Sequence, residues 1–167
     1  LSIERDMNIE WVIVDDHSAD RTFDVASELA ATDSRIRLVR LARNSGSHSA
    51  LMCGFEYANG ACCVMLAADL QDPPELLPEF VKLWEQGYEI VAGARSTREE
   101  TFALRSSRKI FYRLVNALSD FELSPDVGEF QLIDRKVLDA VLQHNDHYPY
   151  IRGIIASVGF RRIIIPY

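Results

Sequence analysis

The segment Ala61-Cys-Cys-Val-Met-Leu66, followed at once by Ala67-Ala-Asp-Leu-Gln-Asp-Pro-Pro-Glu75, decides the fold. An uncharged apolar run of this length reads as a strand buried on both faces, the habit of parallel sheets. The run empties into two carboxylates, Asp69 and Asp72, and then into Pro73-Pro74, which suits the entry to a helix. Glu75 to Gln86 carries Leu76, Leu77, Phe80, Leu83 and Trp84 on one side, and Gly87 ends it. The stretch is one βα unit with acid at its turn.

The same unit recurs on either side. Ile9-Glu-Trp-Val-Ile-Val14 is a short apolar run that ends in Asp15-Asp16. Ser18 or Asp20 suits the cap of a helix from Thr22 to Ala31, with Phe23, Ala26 and Leu29-Ala30 inward. Ile36 to Leu41 is a second strand, Arg43-Asn-Ser-Gly-Ser47 a loop, and Ser47 to Asn59 a helix with Ala50, Leu51, Phe55 and Ala58 inward. Beyond Gly87 come a strand over Tyr88–Gly93, a helix near Leu104–Leu118, a strand near Phe130–Ile133, a helix near Arg135–Gln143 and a β-rich stretch over Phe160–Tyr167. This alternation predicts an α/β fold on a doubly wound, mostly parallel sheet flanked by helices. Such sheets bind ligands beyond the carboxyl ends of their strands, where both acidic clusters fall.

A chain of 167 residues is enough for one such domain and too short for two. Its 18 Lys and Arg against 25 Asp and Glu give a net charge of −7, which excludes generic nucleic-acid binding through bulk positive charge. The positive charge is concentrated: Arg95, Arg98, Arg105, Arg108, Lys109 and Arg113 stand against Glu99 and Glu100, so a local anionic partner is expected. Cys53, Cys62 and Cys63 lack metal-ligand spacing, and Cys62 and Cys63, inside an apolar run, read as small buried hydrophobes in a reducing compartment. No apolar run reaches the roughly 18 residues that cross a bilayer, and the chain reads as a soluble piece of a longer protein.

Neither a dinucleotide-type nor a P-loop glycine motif occurs, so a bound diphosphate has to be neutralised by other means. A divalent cation on strand-end carboxylates does so, since Mg²⁺ takes one or two carboxylates, waters and the substrate's phosphate oxygens. Asp69 is placed for that work, although Asp69 and Asp72 equally suit capping of the next helix. Asp15 and Asp16 divide in the same way, between a turn and the recognition of a nucleobase or ribose.

Six motifs occur in order: Val14-Asp-Asp-His-Ser-Ala-Asp-Arg-Thr22, Arg43-Asn-Ser-Gly-Ser-His-Ser-Ala50, Asp69-Leu-Gln-Asp-Pro-Pro-Glu75, Gly93-Ala-Arg95, Phe111-Tyr-Arg113 and Gly128-Glu-Phe-Gln-Leu-Ile-Asp-Arg135. The set resembles the GtrB and dolichyl-phosphate mannose synthase branch of family-2 glycosyltransferases, with the GT-A fold, over nearly the whole chain. The family's opening strand, with its P-x-x-N-E signature, is not in this sequence.

The resemblance implies an inverting transferase that moves a sugar from a nucleotide-diphosphate sugar, UDP preferred and GDP next, to a polyprenyl phosphate lipid at the cytoplasmic face of a membrane. The alternatives are transfer to a saccharide hydroxyl and a non-catalytic nucleotide-sugar-binding domain that lost the metal pair at Ala67. It implies a nucleotide-sugar-binding half over residues 1–94 and an acceptor-side half over 95–167. Asp16 would contact the nucleoside with Asp15 beside it, and Arg43, His48 and Ala68 would line the donor pocket. Asp69 would hold Mg²⁺ or Mn²⁺ as the surviving carboxylate of the family's D-x-D, whose first Asp is Ala67 here. Gln71 and Asp72 would shape the donor-sugar side, and Arg95, Arg105, Arg108 and Arg113 would meet phosphates. Glu129 would stand near the reacting centre, where relatives place an Asp. The mixed basic and apolar segment Leu104–Leu118 would face lipid headgroups, although the same pattern suits a helix packed on the sheet. The open sheet surface left by the absent strand would favour homo-oligomers.

Overall fold

The computed structural model describes residues 7–69, 71–95, 127–144, 146 and 149–167. In chain order the elements are β1 (Trp11–Asp15), α1 (Thr22–Thr32), β2 (Ile36–Arg40), α2 (Ser47–Tyr57), β3 (Cys62–Val64), a 3-10 turn (Pro74–Leu76), α3 (Leu77–Glu85), β4 (Ile90–Ala94), β5 (Val127–Asp134), α4 (Arg135–Leu142), α5 (Ile151–Ser157) and β6 (Arg162–Pro166). The expected helix near Leu104–Leu118 lies outside the described residues.

β1 and β2 pair in parallel, Trp11 opposite Ile36 and Asp15 opposite Arg40. A second sheet runs β3-β5-β4-β6, with β4 and β6 parallel and β5 antiparallel to both of its neighbours. The α/β class with flanking helices stands; β3, β4 and β6 share one direction, and the reversed β5 makes the second sheet mixed. Strand direction is set by the connection between strands, which an apolar run does not encode. β5 earns its central place through burial: Phe130, Leu132 and Ile133 are wholly buried and Gln131 nearly so.

The second sheet is covered on both faces. On one side Phe55 of α2, Val137, Leu138 and Val141 of α4 and Ile151, Ile154 and Ile155 of α5 pack with Ile90 and Ile133. On the other, Phe80 of α3 packs with Val91, Phe130 and Leu132. The adjacent pairs Ile90/Val91 and Leu132/Ile133 thus divide between opposite faces, as the two-residue period of a strand requires.

Polar anchors fix the corners. The Asp134 side chain accepts the Lys136 N–H to cap α4 and accepts the Trp84 indole N–H at 2.7 Å. Arg135 donates to the carbonyls of Ala58 and Gly60, fastening the turn between α2 and β3. Glu10 accepts the backbone N–H groups of Asn59 and Gly60, so the residues leading into β1 and β3 are tied together. One local expectation fails, and one helix had no counterpart in the sequence reading. Leu29 points outward, 51% exposed, while Ala26 carries the inner face of α1. The helix α5 was not foreseen, although Ile151, Ile154 and Ile155 have the i, i+3, i+4 spacing of a buried helical stripe.

Candidate active site

β3 and β4 both run antiparallel to β5, and β6 runs parallel to β4, so the carboxyl ends of β3, β4 and β6 share one edge. β5 starts at that edge, with Val127 opposite Ala94. The edge therefore receives the Asp69 turn after β3, Arg95 after β4, Tyr167 after β6 and Glu129 near the start of β5.

Arg95 is the hub. Its Nε donates to the Tyr167 hydroxyl at 3.1 Å, its Nη1 to Gln71 Oε1 at 2.9 Å and its Nη2 to Asp72 Oδ1 at 2.9 Å. The Tyr167 hydroxyl in turn donates to Asp72 Oδ1 at 2.7 Å. Asp72 is only 6% exposed, and a buried carboxylate requires such partners. The Tyr167 hydroxyl, and after it the Asp72 carboxylate, hold the Arg95 guanidinium above its ordinary pKa. Burial, aided by the bond to Asp72 and opposed by Arg95, raises the Tyr167 phenol above its own, so it stays a donor.

Asp69 lies in the exposed turn after β3, and one of its oxygens accepts the Gln71 N–H at 3.1 Å. Ala67 and Ala68 before it are exposed and offer no side-chain ligand. Among the described residues no three His, Cys, Asp or Glu side chains converge as a metal cage. The donor set fits Mg²⁺ or Mn²⁺ held through a single carboxylate, the remaining positions going to water and substrate phosphate.

The acidic pair at the end of β1 is engaged internally. Asp15 is 4% exposed; its Oδ1 accepts the Ser18 N–H and its Oδ2 lies 3.2 Å from Arg40 Nε. The two oxygens of Asp16 accept the N–H groups of Ser45 and Gly46 at 2.7 and 2.8 Å. These bonds hold the loop carrying Arg43 against the end of β1. His17 between them takes a left-handed backbone, φ 59°, and its Nδ1 lies 3.1 Å from the Leu41 carbonyl. The carboxylates thus build the turn, and Asp16, half-buried, keeps lone pairs beyond those two bonds.

A third group joins α2 to β5. His48, in the first turn of α2, meets the Tyr150 ring edge-on at 5.9 Å, with its Nδ1 buried and unbonded among the described residues. Arg152 of α5 lies over the same Tyr150 ring and 3.7 Å from Glu129 Oε1. The Glu129 side chain is 44% exposed, so its carboxylate stays open to a ligand. Arg105, Arg108 and Arg113 lie outside the described residues. Tyr150, Arg152 and Tyr167 were missed from sequence because their contacts are long-range: Tyr167 reaches Asp72 across 95 positions.

A family model, glycosyl transferase family 2, matches residues 2–142, and the chain belongs to that family. It is 37% identical over 161 residues to the uncharacterized glycosyltransferase YkcC of Bacillus subtilis, covering 96% of this chain and 50% of that protein. It is 31% identical to the prophage bactoprenol glucosyl transferase homolog of Escherichia coli, over 95% of this chain and 52% of that one. The bactoprenol glucosyl transferase of Shigella phage SfV is 30% identical, with the same two shares, 95% and 52%. The chain thus spans about half the length of the curated relatives it matches. Among solved structures, the bifunctional IspDF of Campylobacter jejuni aligns with a TM-score of 0.55 at 11% identity, over 95% of this chain and 37% of that one, a likeness of fold alone.

Proposed function

We propose that the chain is the donor-binding and catalytic part of an inverting glycosyltransferase that moves a sugar from a nucleotide-diphosphate sugar to a polyprenyl phosphate. The observation that carries this reading is the Gln71–Asp72–Arg95–Tyr167 cluster beside Asp69 at the carboxyl edge of a family-2 sheet. The relatives named as bactoprenol glucosyl transferases support a lipid-phosphate acceptor and, with it, work at the cytoplasmic face of a membrane. Among the described residues no helix is long and apolar enough to cross one.

The acceptor chemistry is simple. A polyprenyl phosphate is anionic near neutral pH and is its own nucleophile, so no side chain has to remove a proton. Its oxygen attacks the anomeric carbon as the bond to the nucleoside diphosphate breaks, and this single displacement inverts the centre. The protein's work is then alignment and stabilisation of the leaving diphosphate. Arg95, fixed by three partners, offers its remaining N–H groups to that charge. Gln71 and Asp72 hold Arg95 and border the sugar, Asp16 and the Arg43 loop border the nucleoside, and Glu129 orients groups at the reacting centre. Asp69 would hold Mg²⁺ or Mn²⁺, which when bound supplies further neutralisation of the diphosphate. We assign residues 1–94 to the donor and 95–167, with Arg105, Arg108 and Arg113, to the acceptor.

Calorimetric titration of UDP, GDP and their sugars, with Mg²⁺ and with chelator, tests the donor reading. Metal-dependent binding of UDP, lost in Asp69→Asn, is expected. Absence of binding, both in this chain and in a version extended at its amino end, would overturn it. The exposure of Glu129 favours one second reading, in which that carboxylate acts as base toward a saccharide hydroxyl. Glu129→Gln would then abolish turnover, whereas with a lipid-phosphate acceptor the loss is partial.

A further inference from the structure

We propose that Tyr167 is a positioning residue that fixes the Arg95 guanidinium in the orientation that meets a nucleoside diphosphate. The inference rests on the reading of Arg95 as a phosphate-binding group and assigns Tyr167 a role within that site.

Three features lock the phenol in place. The Tyr167 N–H donates to the Ala94 carbonyl at 2.9 Å, so its backbone extends the pairing of β6 with β4 by one step, beside Arg95 itself. The ring is fitted over Gly93, where an added Cβ would come within 2.8 Å of it, and meets Phe130 edge-on at 5.6 Å. The hydroxyl then accepts from Arg95 Nε and donates to Asp72 Oδ1, using a phenol's two capacities in opposite directions.

The consequence for Arg95 is geometric. An arginine has five N–H donors in a rigid plane. Here Nε is spent on Tyr167, one N–H of Nη1 on Gln71 and one of Nη2 on Asp72. One N–H on each terminal nitrogen is left uncommitted among the described residues. Gln71 and Asp72 grip only the far end of the fork, and Gln71 is exposed. The Nε contact removes the remaining freedom to swivel about the side-chain axis. Phenylalanine at 167 would keep the ring on Gly93 and Phe130 and delete only the oxygen.

The test is a double-mutant cycle on Tyr167→Phe and Arg95→Ala, read by titration calorimetry with UDP in the presence of Mg²⁺ and repeated with GDP. Tyr167→Phe is expected to bind about tenfold more weakly, as for loss of a hydrogen bond to a charged group. In the Arg95→Ala background the same change should cost nothing further. An equal loss in both backgrounds would show that the Tyr167 hydroxyl acts independently of Arg95, and full affinity in Tyr167→Phe beside a weakened Arg95→Ala would equally overturn the proposal. If Arg95→Ala itself binds normally, it is the phosphate reading of Arg95 that fails. A second readout needs no ligand: the Arg95 Nε–H resonance should exchange with water faster in Tyr167→Phe. Unchanged exchange refutes the positioning role directly.

Discussion

Gly93→Ala places one methyl group where three parts of the site meet. The new Cβ would lie 2.8 Å from Tyr167 Cε1 and 3.0 Å from Phe130 Cδ1. Carbon atoms rest at about 3.5–4.0 Å, so the overlap is about 0.5–1 Å against both rings. Phe130 has no exposed surface and stacks on Phe80 with ring centroids 4.7 Å apart. Tyr167 is tied by its N–H to Ala94 and by its hydroxyl to Asp72 and Arg95. One of the rings must nevertheless move, and overpacking of this kind costs about 1–3 kcal/mol. For a domain of this size that lowers the thermal midpoint by about 3–10 °C. Calorimetric or circular-dichroism melts measure the shift. Titration with UDP then tells which ring yields: displacement of Tyr167 weakens binding along with stability, while displacement of Phe130 weakens stability alone. A midpoint within about a degree of the parent would refute the packing of Tyr167 and Phe130 over Gly93.

Three further outcomes follow from contacts elsewhere. Asp134→Ala removes the α4 cap and strands the Trp84 indole N–H, for a loss of about 2–3 kcal/mol in urea denaturation; Asp134→Asn, which keeps the cap, should lose about half of that. Burial pushes the Cys62 and Cys63 thiols up to about 11 from an ordinary 9.0, so the folded chain holds protons that the unfolded chain releases. Stability should therefore fall as pH rises from about 9 to 11, a slope that Cys62→Ala with Cys63→Ala should flatten. Burial works to raise the Glu10 pKa, but the bonds from Asn59 and Gly60 and the charge of Arg37 outweigh it and leave the group lowered. Its contribution is present above the ordinary carboxylate value and lost as pH falls through the folded one, so Glu10→Gln should shallow the acid limb of a pH–stability curve.

The sequence made most elements legible because their signals are local. The stretch Phe130–Ile133 announces burial by composition, whereas Cys62-Cys-Val64, equally apolar, is only half-buried because β3 lies at the edge of its sheet; Pro74 opens the 3-10 turn that leads into α3, and Gly87 follows its end at φ 90°. What composition leaves open is direction and partnership. β5 is as apolar as a parallel strand, yet it runs antiparallel to β4 because it starts at the edge where β4 ends, Val127 opposite Ala94. Asp72 read equally as a cap or a ligand; only the fold brings Arg95 and Tyr167 onto it from 23 and 95 positions away. Arg152 escaped notice for a similar reason, since α5 sets it beside Glu129 and over Tyr150 through contacts that no local period reveals.

These partnerships also resolve an electrostatic difficulty. A chain of net charge −7, with Asp15, Asp16, Asp69 and Asp72 at the ends of its strands, is a poor host for a diphosphate if each carboxylate faces the ligand uncompensated. Three of the four do not. Asp15 is buried against Arg40, Asp16 spends both oxygens on backbone donors of the Arg43 loop, and Asp72 is buried beneath Arg95 and Tyr167. Their negative charge is spent on internal donors: Asp16 holds the Arg43 loop through Ser45 and Gly46, and Asp72 holds Arg95 with N–H groups to spare. Asp69 alone remains exposed with its charge uncovered by a described cation; on the donor reading proposed above, a divalent ion carried by the diphosphate would add the missing positive charge there. With Ala67 where the resemblance places the first D-x-D carboxylate, Asp69 is left as the one carboxylate of that pair. On the proposed reading a free metal ion would bind weakly and would enter with the nucleotide, so calorimetry should find Mg²⁺ binding only when UDP is present.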